Sequence, residues 1–328
     1  MTSLEQSPGL WNLDGPARDD IVLPFQVEAL GARGRLVRLG DVATDILSRH
    51  DYPPPVTRLL GEALALTAML GAALKFEGKL ILQTKTDGPV DMLVVDFEAP
   101  GGLRGYAHFD EARVAEMSGH GVASPETLLG HGHLAMTIDP GPDMDRYQGV
   151  VPLEGTSLSE AAHTYFRQSE QIPTEVRLAV APHYVQREGG QHAGWRVGGL
   201  IVQHLPEDGG IRMPDFPDGR NDAPDEMEDD RWTRARVLMR TVEDHELLDP
   251  TLSPERLLYR LYHEDGVRAF PPRELSRQCR CSRERIETML RQFSADDRDY
   301  MVEDGRIKVT CEFCNASYAF DPAELDGE

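Results

Sequence analysis

The sequence predicts an α+β fold: a largely antiparallel sheet with packed helices, then a helical linker and a small C-terminal domain. Three observations predict it. Strand-like runs follow one another through the first two thirds of the chain, several joined only by Gly/Pro turns. A few segments instead carry apolar residues at the helical period. All four cysteines are confined to the last 50 residues, in two close pairs. The 328 residues suffice for a sizeable core and suggest two domains with room for a small third.

Residues 1–18 show no periodicity and hold Pro-Gly and Gly-Pro punctuation, which reads as a flexible tail. Residues 19–205 form the expected N-terminal domain. Strands are expected at residues 25–30, 35–39, 80–84, 92–97, 104–109, 134–138, 148–153, 176–180 and 197–203. Asp87-Gly88-Pro89 and Pro100-Gly101-Gly102 are the turns of a meander without intervening helices. Helices fit residues 42–49, 56–76 and 158–168. The last opens with Ser157 and Glu160 at capping-box spacing. The most apolar stretch, residues 59–74, carries Glu62 and is too short to cross a bilayer, so it reads as a buried helix.

Residues 206–265 change character. Ten acidic residues against Arg212 and Arg220 fill residues 206–230, with four prolines and three glycines, which predicts a loosely held acidic loop. Two amphipathic helices follow. One presents Ala235, Leu238, Met239 and Val242; the other, opened by Ser253-Pro254, presents Leu257, Leu258, Leu261 and Tyr262. Alone they cannot bury both apolar faces, so they must dock on something.

Residues 266–328 form the last unit. Ser282 caps a helix with apolar Ile286, Met289, Leu290 and Phe293, Asp304-Gly305 turns into a strand at 307–310, and a final strand lies near 318–320. With so few apolar side chains the core is marginal. Here stand Cys279-Arg-Cys281 and Cys311-Glu-Phe-Cys314, separated by 29 residues. Two thiol knuckles joined by one supersecondary unit are what a four-thiolate zinc site requires, and no cysteine is left over. Metal would then supply much of this unit's stability. Arg277, Arg280, Arg283 and Arg285 surround the first pair and favour thiolate.

Other chemistry finds little support. Gly78-Lys79 lacks the rest of a phosphate loop, and there is no dinucleotide fingerprint or serine-hydrolase elbow, so no enzyme activity is expected. His131 and His133, with His108 and His120, have no acidic partner at ligand spacing and read as surface or hydrogen-bonded residues. His50-Asp51-Tyr52-Pro53 reads as a helix-ending turn, and His263-Glu264 as a helix end. A net charge of −22 disfavours nucleic acid and favours solubility. The N-terminus lacks a secretory pattern, and four cysteines kept for metal point to the reducing cytoplasm. An inert structural zinc in an adaptor or regulator stays open on spacing alone. A thiol oxidoreductase is less favoured, because its Cys-x-x-Cys normally starts a helix.

The run Cys279-x-Cys281-Ser282-Arg283-Glu284-Arg285, followed by Cys311-x-x-Cys314, resembles the zinc centre of the 33 kDa chaperonin family, the redox-regulated bacterial heat shock chaperones. The resemblance extends through His50-Asp51-Tyr52-Pro53, Arg146-Tyr147-Gln148-Gly149-Val150-Val151, Tyr165-Phe166-x-x-Ser169-Glu170-Gln171 and Leu261-Tyr262-His263-Glu264. It implies a substrate-binding α/β domain, a metastable linker and a zinc switch inactive when reduced. Oxidation is then expected to form two disulfides, to release the zinc and to unfold switch and linker. The product is an ATP-independent holdase for unfolding or oxidatively damaged proteins, tending to dimerise. The natural pairs are Cys279–Cys281 and Cys311–Cys314, each closing locally. The linker faces of Leu238, Met239 and Val242, and of Leu257, Leu258 and Leu261, are expected to cover or form the client surface. The N-terminal tail and the enlarged acidic insertion depart from the family pattern.

Overall fold

The computed structural model describes residues 17–74, 77–141, 144–187, 190–205 and 230–325. The expected tail, but for residues 17 and 18, and the acidic stretch, but for Asp230, lie outside the described residues.

The chain forms β1 (Ile21–Val27), β2 (Ala32–Leu39), α1 (Asp41–Leu47), α2 (Pro54–Gly71), β3 (Lys79–Thr86), β4 (Met92–Glu98) and β5 (Gly102–His108). Then come α3 (Glu111–Gly119), α4 (Pro125–Leu129), β6 (His131–Asp139), β7 (Tyr147–Glu154), α5 (Leu158–Tyr165), β8 (Thr174–Arg187) and β9 (Gly190–His204). Beyond the acidic stretch lie α6 (Asp230–Arg240), α7 (Asp244–Leu248), α8 (Pro254–Tyr262), β10 (Val267–Ala269), β11 (Arg273–Glu274) and β12 (Ser276–Arg277). The chain ends in α9 (Arg283–Leu290), α10 (Ala295–Tyr300), β13 (Val302–Glu303), β14 (Arg306–Thr310), β15 (Ser317–Phe320) and α11 (Pro322–Leu325).

The strands make two six-stranded sheets and one of three. The first runs β10-β1-β2-β9-β8 with β11 also on β1, the second β12-β5-β4-β3-β6-β7, and the third β13-β14-β15. Among the described residues all pairings are antiparallel except β12 on β5. The fold is therefore α+β and antiparallel-rich, as the sequence predicts.

Helix α2 holds the two large sheets together. Pro54 opens it, and its side chains are buried nearly all round, because β2, β8 and β9 pack on one side and β3, β4 and β5 on the other. Gly71 permits the closest approach: a Cβ there would stand 2.2 Å from the Phe97 ring. The helix stops at Gly71, short of the expected residue 76. Helix α5 has both capping-box bonds between Ser157 and Glu160, but ends at Tyr165 and passes into a π-helical turn closed by Gln171 at φ 54°.

The first sheet is buried on both faces. Val22, Val37, Val197 and Ile201 join the core around α2, while Leu23, Phe25, Leu36, Leu200 and Val202 face outward into a second core. That second core is closed by Trp232, Ala235, Met239, Val242, Leu247, Leu257, Leu258, Leu261 and Tyr262. The two amphipathic helices thus dock, as their faces require, on the outer face of the first sheet. Leu238 only half-joins this core, and Trp232, absent from the expected face, is buried instead. The C-terminal core is Ile286, Leu290, Ile307, Phe320 and Leu325. Met289 and Phe293, expected on the same face, are exposed: Met289 lies on the outer side of α9, and α9 ends at Leu290, which leaves Phe293 beyond it.

Candidate metal centre

Each thiol pair is delivered by a strand end. Strand β12 pairs Ser276 with Gly102 and Arg277 with Leu103, and Gln278 N–H continues the ladder to Leu103 O at 2.8 Å. Cys279 therefore leaves directly from the rim of the second sheet. Ser282 then caps α9, accepting from Arg285 N–H at 3.2 Å. The second pair closes a knuckle after β14: Cys311 N–H donates to Ala316 O at 2.9 Å, and Asn315 N–H to Cys311 O at 2.8 Å. Asn315 takes the left-handed conformation, φ 57°, that so tight a turn needs. Between the knuckles, Asp304 and Gly305 both have positive φ, the signature of the two-residue hairpin joining β13 to β14.

This hairpin path brings all four sulfurs within 4.8 Å of one another. Cys279 Sγ lies 3.3 Å from Cys281 Sγ and 3.7 Å from Cys311 Sγ, and Cys281 Sγ lies 3.2 Å from Cys314 Sγ. A zinc tetrahedron with bonds of 2.3 Å has sulfur edges of about 3.8 Å, so small outward shifts would seat the ion. All four thiols are partly exposed and none is in a disulfide. Among the described residues this is the one cluster of three or more ligand-type side chains. The histidines stand elsewhere: His108 contacts Asp91 at 2.6 Å, and His131 and His133 are exposed.

The thiols do not titrate alike. Burial raises Cys279, but hydrogen bonding, first from the Cys281 main chain and then from the Cys281, Cys314 and Cys311 thiols, prevails and brings it down to about 7. Burial, then the bond with Cys281, pushes Cys314 up to about 12, and burial foremost raises Cys311. One thiolate is thus readily held by its neighbours, whereas further negative charge calls for a cation. That donor set suits a soft divalent metal.

The arginines have another job. Arg277 pairs with Asp45 at 2.7 Å, Arg280 with Glu98, and Arg283 with Glu324 at 3.0 Å. The first two are neutralised in docking on the first domain and the third within the C-terminal unit, so lowering of the Cys279 thiol comes from hydrogen bonds rather than from these guanidiniums. Tyr318 donates its hydroxyl to Cys281 Sγ at 3.4 Å, a contact no motif announced.

The second knuckle sits on the first domain. His50 Nε2 contacts Glu312 O at 2.7 Å, and Asn315 Nδ2 donates to Arg49 O at 3.0 Å. The Arg104 guanidinium lies 4.0 Å over the Phe313 ring, and Tyr106 is 6.4 Å from it. His50, in a stretch that reads as a simple turn and with the Tyr52 ring 5.1 Å from its own, is thus part of a platform for the cysteine loop. The expected linker residues Met239, Val242, Leu257, Leu258 and Leu261 meet on the outer sheet face. Tyr262 stacks on Phe25 at 5.9 Å and donates to Ala235 O at 3.1 Å, tying the two linker helices together.

Comparison with known proteins agrees with this arrangement. A family model described as "Hsp33 protein" matches residues 20–321. The 33 kDa chaperonin of Caulobacter vibrioides (strain NA1000 / CB15N) is 49% identical over 307 residues, covering 93% of this chain and 95% of that protein. That of Pseudomonas putida (strain GB-1) is 37% identical over 308 residues, covering 93% and 92%. The crystal structure of the 33 kDa chaperonin (heat shock protein 33 homolog) of Thermotoga maritima shares the fold, with a TM-score of 0.69 at 21% identity, covering 94% of this chain and 97% of that one.

Proposed function

Because the chain belongs to the Hsp33 protein family, we propose that it is a redox-regulated, ATP-independent holdase, inactive when reduced and metal-bound. The observation that carries the proposal is the convergence of all four thiols within 4.8 Å, in the unit that follows a linker whose apolar side chains are covered. The resident metal is one Zn²⁺ per chain, held by Cys279, Cys281, Cys311 and Cys314. When bound, the ion supplies a charge that keeps four sulfurs as thiolates and cross-links two knuckles.

Oxidation proceeds on the chain's own sulfurs. A thiolate attacks an oxygen of a peroxide or hypochlorous acid, breaking the O–O or O–Cl bond and releasing hydroxide or chloride, to give a sulfenic acid. Its neighbour then attacks that sulfur and displaces the oxygen as water or hydroxide to close a disulfide. Each disulfide passes two electrons to one equivalent of oxidant. The proposed pairs are Cys279–Cys281 and Cys311–Cys314, each closing within its own knuckle. Disulfide sulfurs are poor ligands, so the cross-link is lost, and five buried apolar residues are too few to replace it. The unit at 266–328 then melts, the linker within 206–265 leaves, and the outer sheet face of the domain at 19–205 is bared for unfolded proteins. An exposed face of that size also suits a homodimer. The proposed setting is the cytoplasm, with no role for nucleic acid, membrane or enzymatic turnover; among the described residues no helix is long and apolar enough to cross a membrane.

One preparation tests this. Light scattering of a heat-denaturing client is measured with the protein reduced and zinc-loaded, then oxidised and zinc-free. Suppression only in the second state is expected. Equal behaviour in both would favour a purely structural zinc.

A further inference from the structure

We propose that Arg38 and Arg196 form a main-chain carbonyl clamp that positions the linker on the first sheet, gripping the backbone between α7 and α8 rather than its side chains. This rests on the switch proposed above and names the residues that hold its closed state. Arg38 shares the outer face of β2 with Leu36, and Arg196 that of β9 with Leu200 and Val202, by strand alternation. Glu175 and Arg177 of β8 share this face in register with Val202 and Leu200, but they sit toward its edge and pair with the linker side chains of Arg240 and Asp244. Arg38, by contrast, is 0% exposed and Arg196 7% exposed.

The Arg38 Nη1 donates to Asp249 O at 2.7 Å and to Leu252 O, and its Nη2 to Glu246 O at 2.8 Å. Arg196 Nε donates to Leu248 O at 2.6 Å, while its Nη1 and Nη2 grip the two Asp19 carboxylate oxygens at 2.7 and 2.6 Å. Carbonyls at the end of α7 and in the following turn thus end on two guanidiniums. They are groups that a helix C-terminus leaves without partners. The Asp249 side chain is occupied elsewhere, accepting from Thr251 N and Oγ1 at 2.7 Å each, which shapes the turn. Charge-assisted bonds to main chain read conformation, not sequence.

The clamp also makes docking all-or-none. Arg38 is a buried cation whose direct partners are linker carbonyls, so a half-lifted linker would leave it dry and unpaired, a costly state. It is satisfied either by the seated loop or by water on a fully vacated face.

Arg38→Met keeps an apolar stem and removes the donors; Arg196→Met is an independent second variant, and Arg38→Lys keeps charge without the fork. Amide hydrogen exchange is measured on the reduced, zinc-loaded full chain, with zinc content in parallel and residues 79–98 as the internal control. Loss of charge-assisted bonds should speed exchange at 244–262 by about ten- to a hundredfold, with the lysine variant between it and the parent. Zinc and the control should be unchanged. If Arg38→Met loses the control protection as well, Arg196→Met and Arg38→Lys are judged by the same criterion. Parental protection at 244–262 in the folded variants overturns the clamp. A freed, zinc-loaded linker that does not suppress client aggregation upholds the clamp and overturns the covered-surface mechanism instead.

Discussion

Gly198→Ala should open the linker without altering a single linker side chain or thiol. Gly198 lies in β9, opposite Arg38, and faces α7. A Cβ there would stand 2.8 Å from Leu247 O, 2.9 Å from Leu247 Cβ and 3.1 Å from Leu247 C. Ordinary carbon contacts begin at about 3.5 Å, so α7 must lift by roughly half an ångström or more. Leu247 is fully buried and its carbonyl neighbours are tied to buried arginines, so the strain has little room to relax. Overpacking of this kind costs about 1–3 kcal/mol, which shifts the docking equilibrium by roughly five- to 150-fold toward release. The assay is hydrogen exchange over 244–262 against 79–98, with zinc content and client light scattering on the same reduced sample. We expect faster exchange in the linker alone and partial holdase activity without oxidant. Unchanged linker protection would refute the wedge. A released linker with no gain of activity would refute the idea that this face, once uncovered, binds clients.

Three further outcomes are expected. Reduced protein should carry one zinc by elemental analysis, and Cys311→Ser with Cys314→Ser should lose it; full retention would sink the four-thiolate assignment. Oxidation should abolish exchange protection across 231–320 and spare 81–97, because the large core around α2 does not depend on metal whereas the C-terminal core is small; equal loss in both would mean global unfolding. The third concerns Glu62, a largely buried carboxyl raised to about 7 by burial first and then by Glu126 and Asp244. Its folded pKa exceeds the unfolded one, so the stability it contributes is full below about 4.5 and is lost as pH rises through about 7. Glu62→Gln should therefore stabilise by about 2–3 kcal/mol at pH 8 and by little at pH 4.5; chemical denaturation at both values checks the sign.

Where side chains alternate or repeat, the sequence was readable. Strands β3 to β7 have one buried and one more open face, and the period shows it. The metal-centre candidate was legible because four thiols in two pairs have few other uses. Strands β10 to β12 were not legible: Val267-Arg-Ala and Arg273-Glu-Leu-Ser-Arg277 carry no pattern, since these strands attach to β1 and β5 through main-chain bonds. The hairpin of β8 and β9 likewise runs past residues 180 and 197, where the two strands pair only with each other.

By itself, the sequence determined the fold class, the pairing of thiols into two knuckles, and the need of two amphipathic helices for a partner surface. All three follow from local chemistry: turn residues, ligand spacing and the helical period. Only the tertiary structure decided which surface that partner is and how the knuckles meet it. Arg38 and Arg196 look like ordinary strand arginines until α7 brings its carbonyls to them, and His50 and Arg104 look unremarkable until Glu312 and Phe313 arrive from more than 200 residues away. Main-chain carbonyls and ring faces are present at almost every position, so their pairing leaves no mark on composition or spacing and depends on where the folded chain places them.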